Sequence, residues 1–250
     1  MLIGLSLLVA GLGLGFANTL ASAGSAVSLP VLLAVGLGPQ LANGTNRVAV
    51  LVGVIAALGT FIRADLIQWR LVGPLAGIAV PGALIGARLS EVISPSRLHL
   101  AIVAALLITV LLLLIRPARW LKPTGAEPRV GAVQLFLTFL VGVWAGFIVL
   151  DGLTYLLFVL VLSVGMDIVT ANAAKVAIGA AIAAVSLPVL VAGGHVDWVA
   201  AAPLSVGAVV GGVLAARLAV LPGAAKWIYR LIVVIVLGEV AQLGLASLRM

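Results

Sequence analysis

The sequence LAVGLGPQLANGTN, Leu33–Asn46, recurs 129 residues later in the chain as LSVGMDIVTANAAK, Leu162–Lys175. The two stretches align without a gap, share a glycine in the same position, and pair Asn43 with Asn172. The same offset also pairs residues of several other types: Trp69 with Trp198, Pro74 with Pro203, Gly82 with Gly211 and Arg88 with Arg217. Similarity at one fixed offset indicates that the chain repeats an architecture.

We therefore predict two related halves, residues 1–115 and 131–250, joined by the linker RPARWLKPTGAEPRV at residues 116–130. The linker is rich in proline and charge, as is typical of a solvated loop. Each half contains five apolar segments, at about residues 2–20, 26–37, 46–62, 71–89 and 98–115 in the first half and 131–150, 153–166, 174–192, 199–217 and 227–246 in the second.

The composition is that of an integral membrane protein. Of 250 residues, 64% are hydrophobic and 8% are charged, and the mean hydropathy is +1.37. Soluble domains are about half apolar and a quarter charged. Long apolar runs such as Ala101–Ile115 demand helices, which satisfy their own backbone groups in lipid. The predicted fold class is an all-α polytopic membrane protein.

Composition and motifs also disfavour several functions. The net charge of +7 indicates membrane orientation rather than nucleic acid binding, because basic residues flank membrane spans. The chain has no cysteine, and we find no metal-ligand spacing, ATP-binding motif or nucleophile–base pair. We expect no metal, no cofactor and no enzymatic activity. The first span opens at the N-terminus, so no cleavable signal peptide is predicted.

The second segment of each half is too short to cross a bilayer untilted, and we interpret it as a half-helix or as one limb of a re-entrant hairpin. An odd number of crossings in each half would place most basic residues on one side and leave Arg47, Arg88, Arg97 and Arg249 on the other. An even number would divide them equally. Because basic residues concentrate on the cytoplasmic side, we predict inverted repeats, a cytoplasmic linker and both termini outside.

Short, interrupted helices at equivalent positions of inverted repeats are typical of secondary transporters. The small-residue hairpin ASAGSAVSLP (Ala21–Pro30), followed by LPVLLAVGLGPQLANGT (Leu29–Thr45) and a weaker second copy, resembles the TauE/SafE sulfite exporter family. In that family's pattern most of the hairpin positions are glycine and Ser follows Gly-Thr, whereas here Ser and Ala replace most glycines and the continuation is NGTNR. The resemblance covers essentially the whole chain.

The resemblance implies an inner-membrane, multi-pass exporter of small sulfur-containing anions such as sulfite, thiosulfate or organosulfonates. We expect alternating access between the halves, with the anion bound near the midplane and driven by the membrane potential or by protons. A passive anion channel, or a transporter of another small organic anion, is the alternative. The expected partners are the anion, the lipid bilayer and protons; no oligomeric state is predicted.

The cluster Asn43, Gly44, Thr45, Asn46 and Arg47 is the first candidate for binding this anion. We expect the third helix to begin near Thr45, so that its free N–H groups face an oxyanion. The neutral side chains add hydrogen-bond donors, and Arg47 adds a bidentate charged donor. In the alternative, Asn43 caps the helix and Arg47 snorkels to the interface.

The second half offers Asn172 in the place of Asn43 and Lys175 in the place of Asn46. In inverted halves these two helix starts enter the membrane from opposite sides. They can then converge on one central site, in which Arg47 and Lys175 form an anion cage. The alternative for Lys175 is a snorkelling role among the basic residues that set the orientation.

The hairpins supply the remaining candidates. Ser22, Ser25 and Ser28 line the pathway in one interpretation and serve close helix packing in the other. In the second half Asp151 aligns with Ser22 and Thr154 with Ser25, and Tyr155 follows. These three residues are candidates for a proton-coupling site or a gate; the alternative for Asp151 is a simple Asp-Gly turn at the membrane surface.

Overall fold

The computed structural model describes residues 2–92, 127–148 and 152–234, and all regular structure in these ranges is helical. Five of the helices, α1, α3, α4, α7 and α8 as numbered below, are long and apolar enough to cross a membrane. The all-α polytopic membrane class is confirmed. In chain order the elements are α1 Leu2–Ala21, α2 Ser25–Ala34, α3 Pro39–Arg63, α4 Trp69–Val92, α5 Ala132–Phe147, α6 Gly152–Phe158 with its π-helical continuation Val159–Val164, α7 Ile168–Ala192, α8 Trp198–Ala219 and α9 at 224–234.

The helices recur at the offset of 129 residues seen in the sequence. α3 and α7 have 25 residues each, and each follows a short second segment. The turns before them contain Gly36 and Gly165, whose φ angles of 97° and 90° lie in the left-handed region that glycine adopts without strain. α4 and α8 begin at the equivalent residues Trp69 and Trp198.

Glycine lets the helices of one half approach the backbone of the other. A Cβ atom added to Gly15 of α1 would lie 2.1 Å from the carbonyl oxygen of Ala208 in α8, and one added to Gly146 of α5 would lie 2.1 Å from that of Ala83 in α4. Gly11 of α1 meets Leu204 of α8 in the same way. Such close approach replaces the hydrophobic effect as the source of helix association in lipid, where van der Waals packing has to suffice.

These contacts give the directions of the helices. Residue numbers rise together along α1 and α8 and along α4 and α5, so both pairs are parallel. Arg47 of α3 and Ala83 of α4 both contact Gly146, as expected if α3 and α4 form an antiparallel hairpin around their short loop. Lys175 of α7 and Gly212 of α8 both contact Thr19, as expected if α7 and α8 also form an antiparallel hairpin.

Two halves that repeat in inverted orientation are expected to form these parallel and antiparallel helix pairs. The repeat boundaries stay a prediction, because the segment at 98–115, linker residues 116–126 and the end of the last segment from residue 235 onward lie outside the described residues.

Two helix starts predicted from the sequence are wrong. α3 begins at Pro39 rather than near residue 46, and α7 begins at Ile168 rather than near 174. Pro39 suits the first helical position because its fixed φ is already helical and it has no N–H to satisfy. The polar residues that follow it belong to the helix interior, since they face other helices and not water.

Candidate anion site

The polar cluster of α3 does not offer free backbone N–H groups. The amide of Ala42 already donates to the carbonyl of Gly38, so Asn43 to Arg47 occupy the second and third helical turns. At the start of α7 the carboxylate of Asp167 accepts from the amides of Val169 and Thr170 at 3.0 and 3.1 Å. Residues 43–47 therefore present no free backbone N–H groups, and Asp167 caps the start of α7, so side chains are the donors that remain at the predicted positions.

Asn46 of α3 forms hydrogen bonds with the short helix α2. Its Nδ2 donates to Ser25 Oγ at 3.0 Å, and its Oδ1 accepts from Ser28 Oγ at 2.5 Å. All three side chains are buried. Their polar atoms are satisfied by one another, so in this conformation Asn46 and Ser25 position the hairpin.

Gly44 and Thr45 meet the loop between α7 and α8. A Cβ atom on Gly44 would lie 1.9 Å from the carbonyl oxygen of His195, so only glycine permits this approach. The hydroxyl of Thr45 accepts a hydrogen bond from the amide of Asp197 at 2.9 Å. His195 lies in this loop. Both α3 residues therefore hold the start of α3 against the other half.

Lys175 is fully buried and binds the end of α1. Its ammonium donates to the carbonyls of Asn18 and Thr19 at 3.0 and 3.1 Å. These carbonyls lie in the last turn of α1, where the helix carries a partial negative charge. The carbonyl of Asn18 also accepts from the amide of Ser22 at 3.1 Å. Ser22 follows with φ of 69°, which breaks the helix. A snorkelling role for Lys175 does not agree with this geometry.

Arg47, in the first half, binds the end of α5 in the second half. Its Nη1 donates to the carbonyl of Ala145 at 2.5 Å and its Nη2 to that of Gly146 at 3.3 Å, at the end of α5. Arg47 is 2% exposed, so it does not snorkel either. The bound carbonyls at 145 and 146 are each 127 residues after those at 18 and 19. A basic residue from the third helix of each half thus caps the broken first helix of the other half.

Several buried polar atoms have no hydrogen-bond partner among the residues that the structure describes. Asn172, one helical turn before Lys175, has no exposed surface, and neither Nδ2 nor Oδ1 forms a hydrogen bond. The hydroxyl of Thr19, whose carbonyl Lys175 binds, is also unpartnered, as are those of Ser22 and Thr154. Buried polar groups are normally satisfied, and leaving one unmade costs about 1–3 kcal/mol. Atoms of this kind suit a polar ligand or water.

Asn43 lies in a different environment from its counterpart. It lines a cavity of about 150 Å³ with Gln40, Ser90 and His195 among otherwise apolar residues. The cavity extends to Phe147 and Ile148, directly after the carbonyls that Arg47 binds. Asn43 is half-buried, whereas Asn172 is closed off. The two halves therefore differ in accessibility at equivalent residues.

The second hairpin is described in part. Asp151 lies outside the described residues, so its assignment as a coupling site stays a prediction. Thr154 is buried in α6. The ring of Tyr155 packs edge-on against Trp144, with 6.1 Å between ring centroids. Tyr155 therefore belongs to the contact between α5 and α6.

Sequence reasoning missed the carbonyls at the ends of α1 and α5 as the partners of the two cations. Backbone carbonyls have no residue code that marks them. The one available signal was that a hairpin breaks each helix, because broken helices in lipid need partners for their freed backbone groups.

The chain was also compared with known proteins. A family model described as Sulfite exporter TauE/SafE matches residues 7–242 of the chain. No match was found among curated proteins or among solved structures.

Proposed function

The chain belongs to the TauE/SafE sulfite exporter family, and from this premise we propose that it exports a small sulfur-containing anion by alternating access between its two halves. The family implies a membrane transporter of sulfite or related sulfur anions in general. Sulfite, thiosulfate and organosulfonates are the proposed substrates, and the inner membrane, with the linker in the cytoplasm, is the proposed location.

The observation that carries this proposal is the charge of the protein interior. Among the described residues, Arg47 and Lys175 are the only buried ionisable side chains. In that part of the chain each is hydrogen-bonded only to backbone carbonyls, so no carboxylate neutralises it. Carbonyl dipoles offset part of the cost of burying a charge, but they leave its net positive charge in place. An anion between the halves would complete that neutralisation.

The side chains divide into two proposed roles. Asn172, Ser22 and Thr154 offer unsatisfied polar atoms and would contact the anion beside Lys175. Asn43 would contact it first, because it lines the open cavity. Gly44, Thr45, Asn46 and Ser25 would shape the site by holding α2, α3 and the loop at His195 together.

Alternating access finds support in the unequal environments of Asn43 and Asn172. The cavity at Asn43 corresponds to access from one side, and the burial of Asn172 to closure on the other. We propose that transport exchanges these two states. A negative-inside membrane potential favours anion export without further coupling, and protons at Asp151 are a second candidate for the driving force.

Flux measurements with purified protein in liposomes test the proposal. Uptake of sulfite, thiosulfate, sulfate and an alkylsulfonate is compared for wild type, Lys175→Met, Arg47→Met and the exposed control Lys226→Met. We expect wild type and Lys226→Met to move at least one sulfur anion, and the buried variants to lose most of that flux. Absence of flux in wild type would refute the transporter. Flux that never exchanges one anion against the gradient of another would favour the passive channel.

A further inference from the structure

A second cleft lies away from the anion site, between the C-terminal ends of α3 and α8. Its volume is about 210 Å³. Small side chains form its walls and two arginines stand at its end; the lining residues are Ala56, Gly59, Thr60, Arg63, Val213 and Arg217.

The two arginines bring positive charge to one place, and neither forms an ion pair within the part of the chain that the structure describes. Arg63 and Arg217 belong to the last turns of α3 and α8, and both are exposed. Neither forms a hydrogen bond or an ion pair with a described residue. Basic residues at helix C-termini complement the helix dipole, but that role does not require two of them to share a cleft, where they repel each other.

Exposed aliphatic residues adjoin the lining residues of the cleft in sequence. Ile55 and Ile62 on α3 and Leu214 and Leu218 on α8 are between 46% and 54% exposed. Large exposed aliphatic residues on membrane-spanning helices contact acyl chains. A free oxyanion would use the arginines alone, whereas a molecule with an acidic head and an apolar tail would use the arginines, the small-residue walls and these aliphatic residues.

The internal repeat provides a comparison for this cleft at the other end of the protein. At the offset of 129 residues, larger side chains occupy three of the equivalent wall positions: Val185 for Ala56, Pro188 for Gly59 and Leu84 for Val213. Val189, which has the same shape as threonine, takes the place of Thr60. Arg217 keeps its counterpart in Arg88, but Arg63 is replaced by Ala192. At the equivalent positions of the other end, the larger side chains would fill such a cleft, and one of the two charges is missing.

We propose that this cleft binds an anionic phospholipid, with its phosphate between Arg63 and Arg217 and an acyl chain along Gly59 and Val213. The end of the protein at which the cleft lies also carries Arg70 and Lys226, as expected of the side that meets acidic lipid headgroups. The site is independent of the transported anion, so it holds whether or not the proposed substrate is right.

Thermal unfolding of the detergent-purified full chain tests the lipid site. The midpoint is measured with added phosphatidylglycerol, with phosphatidylcholine, and with inorganic phosphate alone. We expect phosphatidylglycerol to raise the midpoint of wild type well above the other two. Since each basic residue near the surface contributes about a fivefold gain in affinity for acidic lipid, Arg63→Ala with Arg217→Ala should bind phosphatidylglycerol about thirtyfold more weakly.

Two further variants separate the cleft from simple charge. Gly59→Leu keeps both arginines but fills the cleft, and it should fold because a Cβ atom there meets no described residue within 4 Å. It should lose the phosphatidylglycerol effect. Arg88→Ala removes the counterpart charge at the filled end and should keep that effect. The proposal would be overturned if phosphatidylcholine or inorganic phosphate alone stabilised wild type as much as phosphatidylglycerol does. An unchanged phosphatidylglycerol effect in Gly59→Leu would also overturn it.

Discussion

The ammonium of Lys175 donates a hydrogen bond to the backbone carbonyl of Thr19 over 3.1 Å, and so joins the third helix of one half to the broken first helix of the other. Arg47 makes the reciprocal contact to the carbonyl of Gly146. Each break in the membrane-spanning backbone is thus stabilised by a cation from the opposite half. If the halves move against each other during transport, as we propose, these contacts would change.

Lys175→Met tests the first contact. Methionine keeps the length of the side chain but removes its charge, so the carbonyls of Asn18 and Thr19 lose a charge-assisted partner. We expect the free energy of unfolding to fall by about 1–3 kcal/mol and anion flux to fall at least tenfold, measured by denaturant titration and liposome uptake. Lys175→Arg should restore part of both. A Lys175→Met protein with wild-type flux would refute a role for this charge in transport.

Asn46→Ala should destabilise the protein without removing a charge. The substitution leaves the buried hydroxyls of Ser25 and Ser28 without their amide partner, which costs about 1–3 kcal/mol. Thermal unfolding in detergent measures the effect. The double variant Ser28→Ala with Asn46→Ala should lose less than the sum of the two single variants. Strict additivity would show that the two side chains do not interact.

Asn172→Ala should behave in the opposite way from Asn46→Ala. Its amide has no partner within the described ranges, so its removal relieves an unsatisfied buried group and should change the free energy of unfolding by less than about 1 kcal/mol. The flux of the transported anion should nevertheless drop, because the proposed ligand contact is gone. Strong destabilisation with unchanged flux per folded molecule would identify Asn172 as a structural residue.

Gly44→Ala should be poorly tolerated. Its new methyl group would meet the carbonyl oxygen of His195 at 1.9 Å, and backbone on both sides would have to shift, at a cost of about 1–3 kcal/mol. Gly77→Ala in α4 is the matched control, because no described residue lies within 4 Å of its Cβ position. The control should be stabilised by roughly 1 kcal/mol through helix propensity. Similar thermal midpoints for both variants would contradict the close contact.

Single cysteines test the difference in access between the halves. The chain has no cysteine, so Asn43→Cys and Asn172→Cys each introduce one labelling position. We expect a membrane-impermeant maleimide to modify Cys at position 43 at least tenfold faster, and from one side of the membrane only, because this position lines the cavity. Equal labelling of both variants from the same side would refute the one-sided opening.

The sequence predicted much of the helical architecture because apolar length and internal repetition are local properties. The spans beginning at Leu2, Trp69 and Trp198 agree closely with the segments predicted from hydropathy. The starts of α3 and α7 were missed for a physical reason. A polar residue such as Asn46 usually marks the end of a lipid-facing run, but here it is buried against Ser25 and Ser28 from another helix.

The roles of individual polar residues were harder to predict from the sequence. Asn43 and Asn172 are identical in sequence and equivalent in the repeat, yet one lines a cavity and the other is sealed. The residues that follow them differ, but that difference does not predict which side chain is accessible, because accessibility depends on how the two halves are placed against each other.

The sequence by itself determined the membrane environment, the duplicated segments, the short second helices and the presence of one basic residue in each polar stretch. Those features follow from residue type and spacing along a single chain. Only the tertiary structure decided what Arg47 and Lys175 touch, since their partners are backbone carbonyls 98 and 157 residues away. A carbonyl is the same in every residue, so its availability to a cation depends on where a helix breaks and which helix packs beside the break.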